Sequence, residues 1–192
     1  MTLESTPGFS IGGMSHILAT VAVVTILTPT WSSHAFAQHQ MPAGMTHEEH
    51  LAQMKKDAEL KARGAVAMGF DQDAAEHHFL LFEDGGAIDV QAVRNDDTAT
   101  RDAVRTHLQE VAREFANGNF DKPFATHAET PDGVPALRGL TGVVTYVYEA
   151  TPRGGRVRIS STDTTALAAI HAFIRYQIVE HKTGDPLTPR KQ

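Results

Sequence analysis

The chain has no cysteine among its 192 residues. That single absence removes disulfides, thiolate metal sites, thiol nucleophiles and iron–sulfur clusters. Basic charge is not in excess either. The formal net charge is −6, which gives no electrostatic footprint for nucleic acid or an anionic membrane. The apolar run from Ile17 to Leu27 is too short to span a membrane. Several catalytic signatures are missing: a Gly-x-Ser-x-Gly elbow, a glycine-rich phosphate loop and a dinucleotide fingerprint. His47-Glu48-Glu49-His50 is not a zinc-protease motif, because its histidines stand three apart rather than four.

What is present begins with an address. The Ile17–Leu27 run has signal-peptide length, and Ala35-Phe36-Ala37 has the small-residue pattern of a cleavage site. Residues 1–37 therefore read as a signal peptide, and the expected location is periplasmic or secreted, with no stable membrane span after cleavage. No Lys or Arg precedes the run, and a start at Met14 would account for the missing basic region. Residues 38–192 make one domain. Of the 11 histidines, all but His16 and His34 lie in it.

Residues 38–64 read as a linker and a leader helix. Thr46-His47-Glu48-Glu49 is a capping box, and the helix is expected from His47 to about Arg63, stopping at Gly64. Residues 65–192 read as a single α+β domain. A strand at Glu76–Phe82 and a return strand at Ala87–Val93 flank a Gly85-Gly86 turn. A helix at Arg101–Asn117 carries Val104, Leu108, Val111 and Phe115 on one stripe. Residues 119–142 look irregular, with three prolines. Strands at Val143–Tyr148 and Arg156–Ser160 and a helix at Thr165–Lys182 repeat the pattern. The predicted architecture is an N-terminal helix and two strand–strand–helix units. They form a four-stranded antiparallel sheet with both helices on one face, and residues 76–118 and 143–184 are candidate internal repeats.

Two sets of residues bear on chemistry. His47, His50 and Met54 share one side of the leader helix, just after His39, Met41 and Met45. Thioethers favour Cu(I), and imidazoles suit copper and zinc. The bland alternative is a solvated leader. Further in, His77-His78 must point to opposite sheet faces, so only one can join any site. His107 and His171 border the helix stripes, and His127 lies in the Pro-rich segment. Core histidines satisfied by Tyr, Thr or a carbonyl are the common case. The alternative is a shared metal site of His171, His107, His127 and one of His77 or His78. His181 reads as a positive charge complementing a helix C-terminus. Arg156 and Arg158 share a strand face that would hold an anion or a carboxylate partner, with Glu149 as a balancing charge.

The set Met45-Thr46-His47-Glu48-Glu49-His50, Met68-Gly69-Phe70-Asp71-Gln72, His77-His78-Phe79, Ala169-Ile170-His171-Ala172-Phe173 and His181-Lys182-Thr183-Gly184-Asp185-Pro186 resembles a family of small exported bacterial proteins of unknown function. The resemblance covers most of the mature chain. It implies export and a shared fold, and nothing catalytic.

Three functions remain open. The first is an exported protein binding copper, zinc or a similar ion through His and Met. The second is a periplasmic interaction module or homodimer, using a sheet face with Tyr146 or Tyr148 beside Arg156 and Arg158. The third is a small hydrolase or isomerase with His127 or His171 as general base.

Overall fold

The computed structural model describes residues 44–191. The signal peptide expected over residues 1–37, together with His39 and Met41, lies outside the described residues. Among the described residues no helix is long and apolar enough to cross a membrane.

The chain is α+β. In order it contains α1 (His47–Met68), a short 3-10 turn (Gln72–Ala74), β1 (Ala75–Phe82), β2 (Gly85–Ala92) and α2 (Thr98–Ala116). Then follow α3 (Asp121–His127), α4 (Val134–Leu137), β3 (Thr145–Thr151), β4 (Gly154–Ser160) and α5 (Thr164–Glu180). The four strands form one antiparallel sheet in the order β1-β2-β4-β3. That is the order two hairpins give when their second strands pair.

Strand alternation fixes which residues face the helices. Phe79, Leu81, Ile88, Val90, Val157 and Ile159 share one buried cluster with Val104, Leu108, Val111 and Phe115 of α2. Ile170, Phe173, Ile174 and Ile178 of α5 join the same cluster. A hairpin or a single amphipathic helix cannot bury its apolar side alone, and here each supplies the other's cover. Both helices that cover the sheet, α2 and α5, begin where an aspartate caps the first turn. Asp97 accepts from the Thr100 amide, and Asp163 accepts from the Ala166 amide.

Two expectations need correction. Residues 119–142 are not irregular throughout, since they contain α3 and α4. Pro123 and Pro135 fall in first helical turns, where a missing N–H costs nothing. The leader helix does not stop at Gly64. It runs to Met68 and ends at Gly69, which takes the left-handed conformation with φ 77°. Gly64 is buried inside the helix, where a Cβ would meet Gln72 Nε2 at 1.7 Å. It marks a close approach rather than a boundary.

Gly133, which precedes α4, has φ 79°, and a Cβ there would stand 2.2 Å from the Ala169 carbonyl oxygen of α5. Gly142 has a similar φ of 78° with open space around it. The left-handed conformation alone costs a non-glycine residue about 1–2 kcal/mol. The collision at Gly133 adds roughly another 1–3 kcal/mol. Gly133→Ala is therefore expected to lower the denaturation midpoint well beyond Gly142→Ala. Equal losses in urea melts would mean that α4 does not pack tightly on α5.

Candidate functional site

β1 turns its odd-numbered residues toward the helices, so His77 follows Phe79 and Leu81 inward while His78 points out. On α2, His107 lies one turn before Val111, beside the buried stripe. α3 ends at His127 and α5 ends beside His181. These four histidines line one cavity of about 60 Å³, with Met68, Phe79, Phe173 and Gln177 also in its wall.

The rings touch in sequence. His77 and His181 stack with centroids 5.9 Å apart, and His181 meets His127 edge-on at 5.0 Å. Phe70 stacks on His77 at 6.1 Å and meets His107 edge-on at 5.8 Å. Phe79 lies 5.2 Å from His181. His127 is buried outright, while the other three keep part of their surface exposed.

Burial sets the charge of the cluster. It pulls His77 and His107 down to about 4 and His181 down to about 3, because a low-dielectric surrounding disfavours the imidazolium. His127 is lowered for the same reason, partly opposed by its bond to Gln177. All four imidazoles are neutral at pH 7.

A neutral imidazole has one N–H and one lone pair. His127 Nε2 donates to Gln177 Oε1 at 3.1 Å, which leaves Nδ1 as the lone pair. A bond to the Ala75 backbone favours a proton on the other nitrogen of His77, leaving Nε2 as its lone pair. Both lone-pair atoms, His127 Nδ1 and His77 Nε2, are buried without a hydrogen-bond partner among the described residues. A buried polar atom left unpaired costs about 1–3 kcal/mol.

The backbone is strained at the same place. Two non-glycine residues have positive φ among the described residues: Ala128 at 59° and Lys182 at 51°. Each directly follows a cavity histidine, at the end of α3 and of α5. Left-handed residues let each helix stop abruptly with its last imidazole turned inward.

The remaining candidates fall elsewhere. His171 donates from Nε2 to the Phe82 carbonyl at 2.8 Å, so it is a satisfied helix histidine outside the cavity. His78 pairs with Asp185 at 3.0 Å on the opposite side of the strand. His47 and Met54 are exposed on α1, and His50 is half-buried. Among the described residues, no three His, Asp or Glu side chains form a group that would hold a metal ion as they stand. His181 does not serve as a charged helix cap, since burial keeps it neutral. It is the residue that sequence reasoning misjudged. The signal was its place on the α5 stripe, one turn beyond Gln177 and Ile178.

The arginine face also changes. Arg156 binds Asp89 at 2.6 Å rather than relying on Glu149, and Arg158 binds Asp84 and the Gly86 carbonyl. Tyr146 and Tyr148 pack against the helix-side core, across the sheet from both arginines.

No protein-family model matches the chain, and no curated protein or solved structure matches it.

The neutral cluster has a consequence for acid stability. In an unfolded chain the imidazoles take up protons near the ordinary histidine value of 6.5, whereas in the fold His77 and His107 wait until about 4. Between those values the unfolded state binds more protons, so stability is full above about pH 6.5 and drains as pH falls toward 4. Tm should drop steeply over that window, and His107→Phe should flatten the slope. A Tm that stays level from pH 7 to pH 4 would contradict the neutral, buried state.

Proposed function

We propose that this chain is an exported binding protein whose four-imidazole cavity takes a single transition-metal ion, copper or one of similar preference. The observation that carries the reading is the pair of orphaned lone pairs, His77 Nε2 and His127 Nδ1, on residues whose rings both contact His181. Buried polar atoms are nearly always paired, and orphans in a cavity point to a ligand.

Three physical facts support an ion. Neutral imidazole is the form that binds metal, and burial holds the cluster in that form. An ion held by two imidazole nitrogens at about 2 Å sets the ring centroids roughly 5–6 Å apart. The His77–His181 and His127–His181 centroids stand at 5.9 and 5.0 Å, within that range. Size points the same way. The cavity of about 60 Å³ holds a few waters or an ion, since one water needs roughly 10–15 Å³ and organic-ligand pockets start near ~300 Å³. Export rests on the Ile17–Leu27 run and Ala35-x-Ala37.

The other readings gain less. The docking face loses its tyrosines to the core, and both of its arginines are engaged with carboxylates. As a general base, His127 has no hydroxyl nucleophile hydrogen-bonded to it, its ring bond being to Gln177.

Titration with Cu(I), Cu(II) and Zn(II) tests the reading. One equivalent of at least one ion should bind, and His77→Ala or His181→Ala should weaken it by more than about tenfold, or ~1.4 kcal/mol. His171→Ala, and a triple variant of His47, His50 and Met54 to alanine, should leave the affinity unchanged. Binding lost in the triple variant but kept in His181→Ala would move the site to the leader helix and refute the cavity. Absence of stoichiometric binding would refute metal function.

A further inference from the structure

The donor set says more than that an ion binds. The cavity wall offers imidazoles from His77, His107, His127 and His181 and the thioether of Met68, and among the described residues no carboxylate lines it. The nearby carboxylates are committed to other groups. Glu110 and Glu114 hold Lys122 at 3.4 and 3.1 Å, Glu180 holds Lys56 at 3.2 Å, and Glu129 accepts from Tyr176 at 2.6 Å. The wall is apolar at Phe79, Val90, Leu108 and Phe173 and carries one ammonium, Lys122, itself paired with Glu110 and Glu114, so an ion that enters meets no anionic ligand.

The cost of burying a charge rises with its square, so a divalent ion suffers about four times the desolvation penalty of a monovalent one. Zn(II) and Cu(II) sites in proteins ordinarily offset that penalty with thiolate or carboxylate ligands, or with bound water that has room to stay. Among the described residues this cavity has no anion in its wall, and the Lys122 ammonium there opposes a divalent ion more strongly than a monovalent one. Cu(I) is monovalent, accepts two or three ligands and favours imidazole and thioether donors. Two ring nitrogens are already unpaired, which suffices for the low coordination number of a d¹⁰ monovalent ion.

Building on the metal reading above, we infer that the cavity is selective for a monovalent soft cation, Cu(I), over Zn(II) and Cu(II), because its ligands are all neutral. His77, His127 and His181 supply nitrogens, and Met68 stands by as a thioether. Ag(I) is the redox-inert stand-in for the same chemistry.

The selectivity can be reversed by adding one charge without adding bulk. Gln177 is 4% exposed and bonds His127 Nε2, so Gln177→Glu places a carboxylate at the cavity edge with almost no change of shape.

The test is chelator competition under anaerobic conditions, using Cu(I), Ag(I), Zn(II) and Cu(II) on the wild-type chain and on Gln177→Glu. The wild type should bind Cu(I) and Ag(I) at least about 100-fold more tightly than Zn(II) or Cu(II). In Gln177→Glu that gap should narrow by tenfold or more through tighter divalent binding. Wild-type Zn(II) or Cu(II) affinity equal to that for Cu(I) would overturn the selectivity and leave the metal site standing. Lack of binding by every ion would overturn the metal reading itself. If Gln177→Glu does not fold, the wild-type ratio alone decides the question.

Discussion

An imidazole taken out of water at neutral pH gives up its second proton and is left with one N–H and one lone pair, each wanting a partner. This protein meets that constraint at four histidines around one cavity, and much of the chain's local geometry serves it. Gln177 satisfies one nitrogen of His127. Phe70 and Phe79 supply apolar faces to His77, His107 and His181. Among the described residues two buried ring nitrogens, His77 Nε2 and His127 Nδ1, are left without partners, and the proposed ion answers to them.

The scaffold explains how such a costly arrangement is held. Paired hairpins give a sheet whose apolar side is shared by α2 and α5, so strand β1 and the middle of α2 bring His77 and His107 to the same sheet–helix interface. The other two histidines arrive from helix ends. At Ala128 and Lys182 the backbone takes a left-handed conformation that a side chain disfavours, and at each place the residue before is a cavity histidine. Strain of about 1 kcal/mol per position persists only where surrounding packing fixes it. Here α3 is tied to α1 through the bond from Arg63 to the Thr126 carbonyl, and α5 to α1 through Lys182 and Asp57.

Much of this was legible in the residues. Strand alternation separated His77 from His78, because a period of two admits no other arrangement. The Val104–Phe115 stripe located α2, although the helix begins three residues earlier than the stripe suggested, at Thr98. His107 and His127 were candidates from their positions alone. The choice between His171 and His181 was not legible. Both lie along the apolar side of α5, and only the tertiary fold decides that His171 reaches the Phe82 carbonyl while His181 reaches the cavity. The leader segment misled for a related reason. Its His and Met residues are conspicuous in sequence, yet α1 buries only Gly64 and leaves Met54 exposed. Density of ligand-type residues in a sequence is weaker information than where the fold places their lone pairs.

The central claim is that His77 Nε2 and His127 Nδ1 are unprotonated, unpaired and available at neutral pH. Long-range ¹H–¹⁵N correlation of the histidine rings tests this directly, first without metal and then with one equivalent of Ag(I). Both nitrogens should resonate as unprotonated, pyridine-type atoms at pH 7, and both should shift on addition of the ion. Protonation of either atom at pH 7, or a response confined to the histidines of α1, would contradict the account.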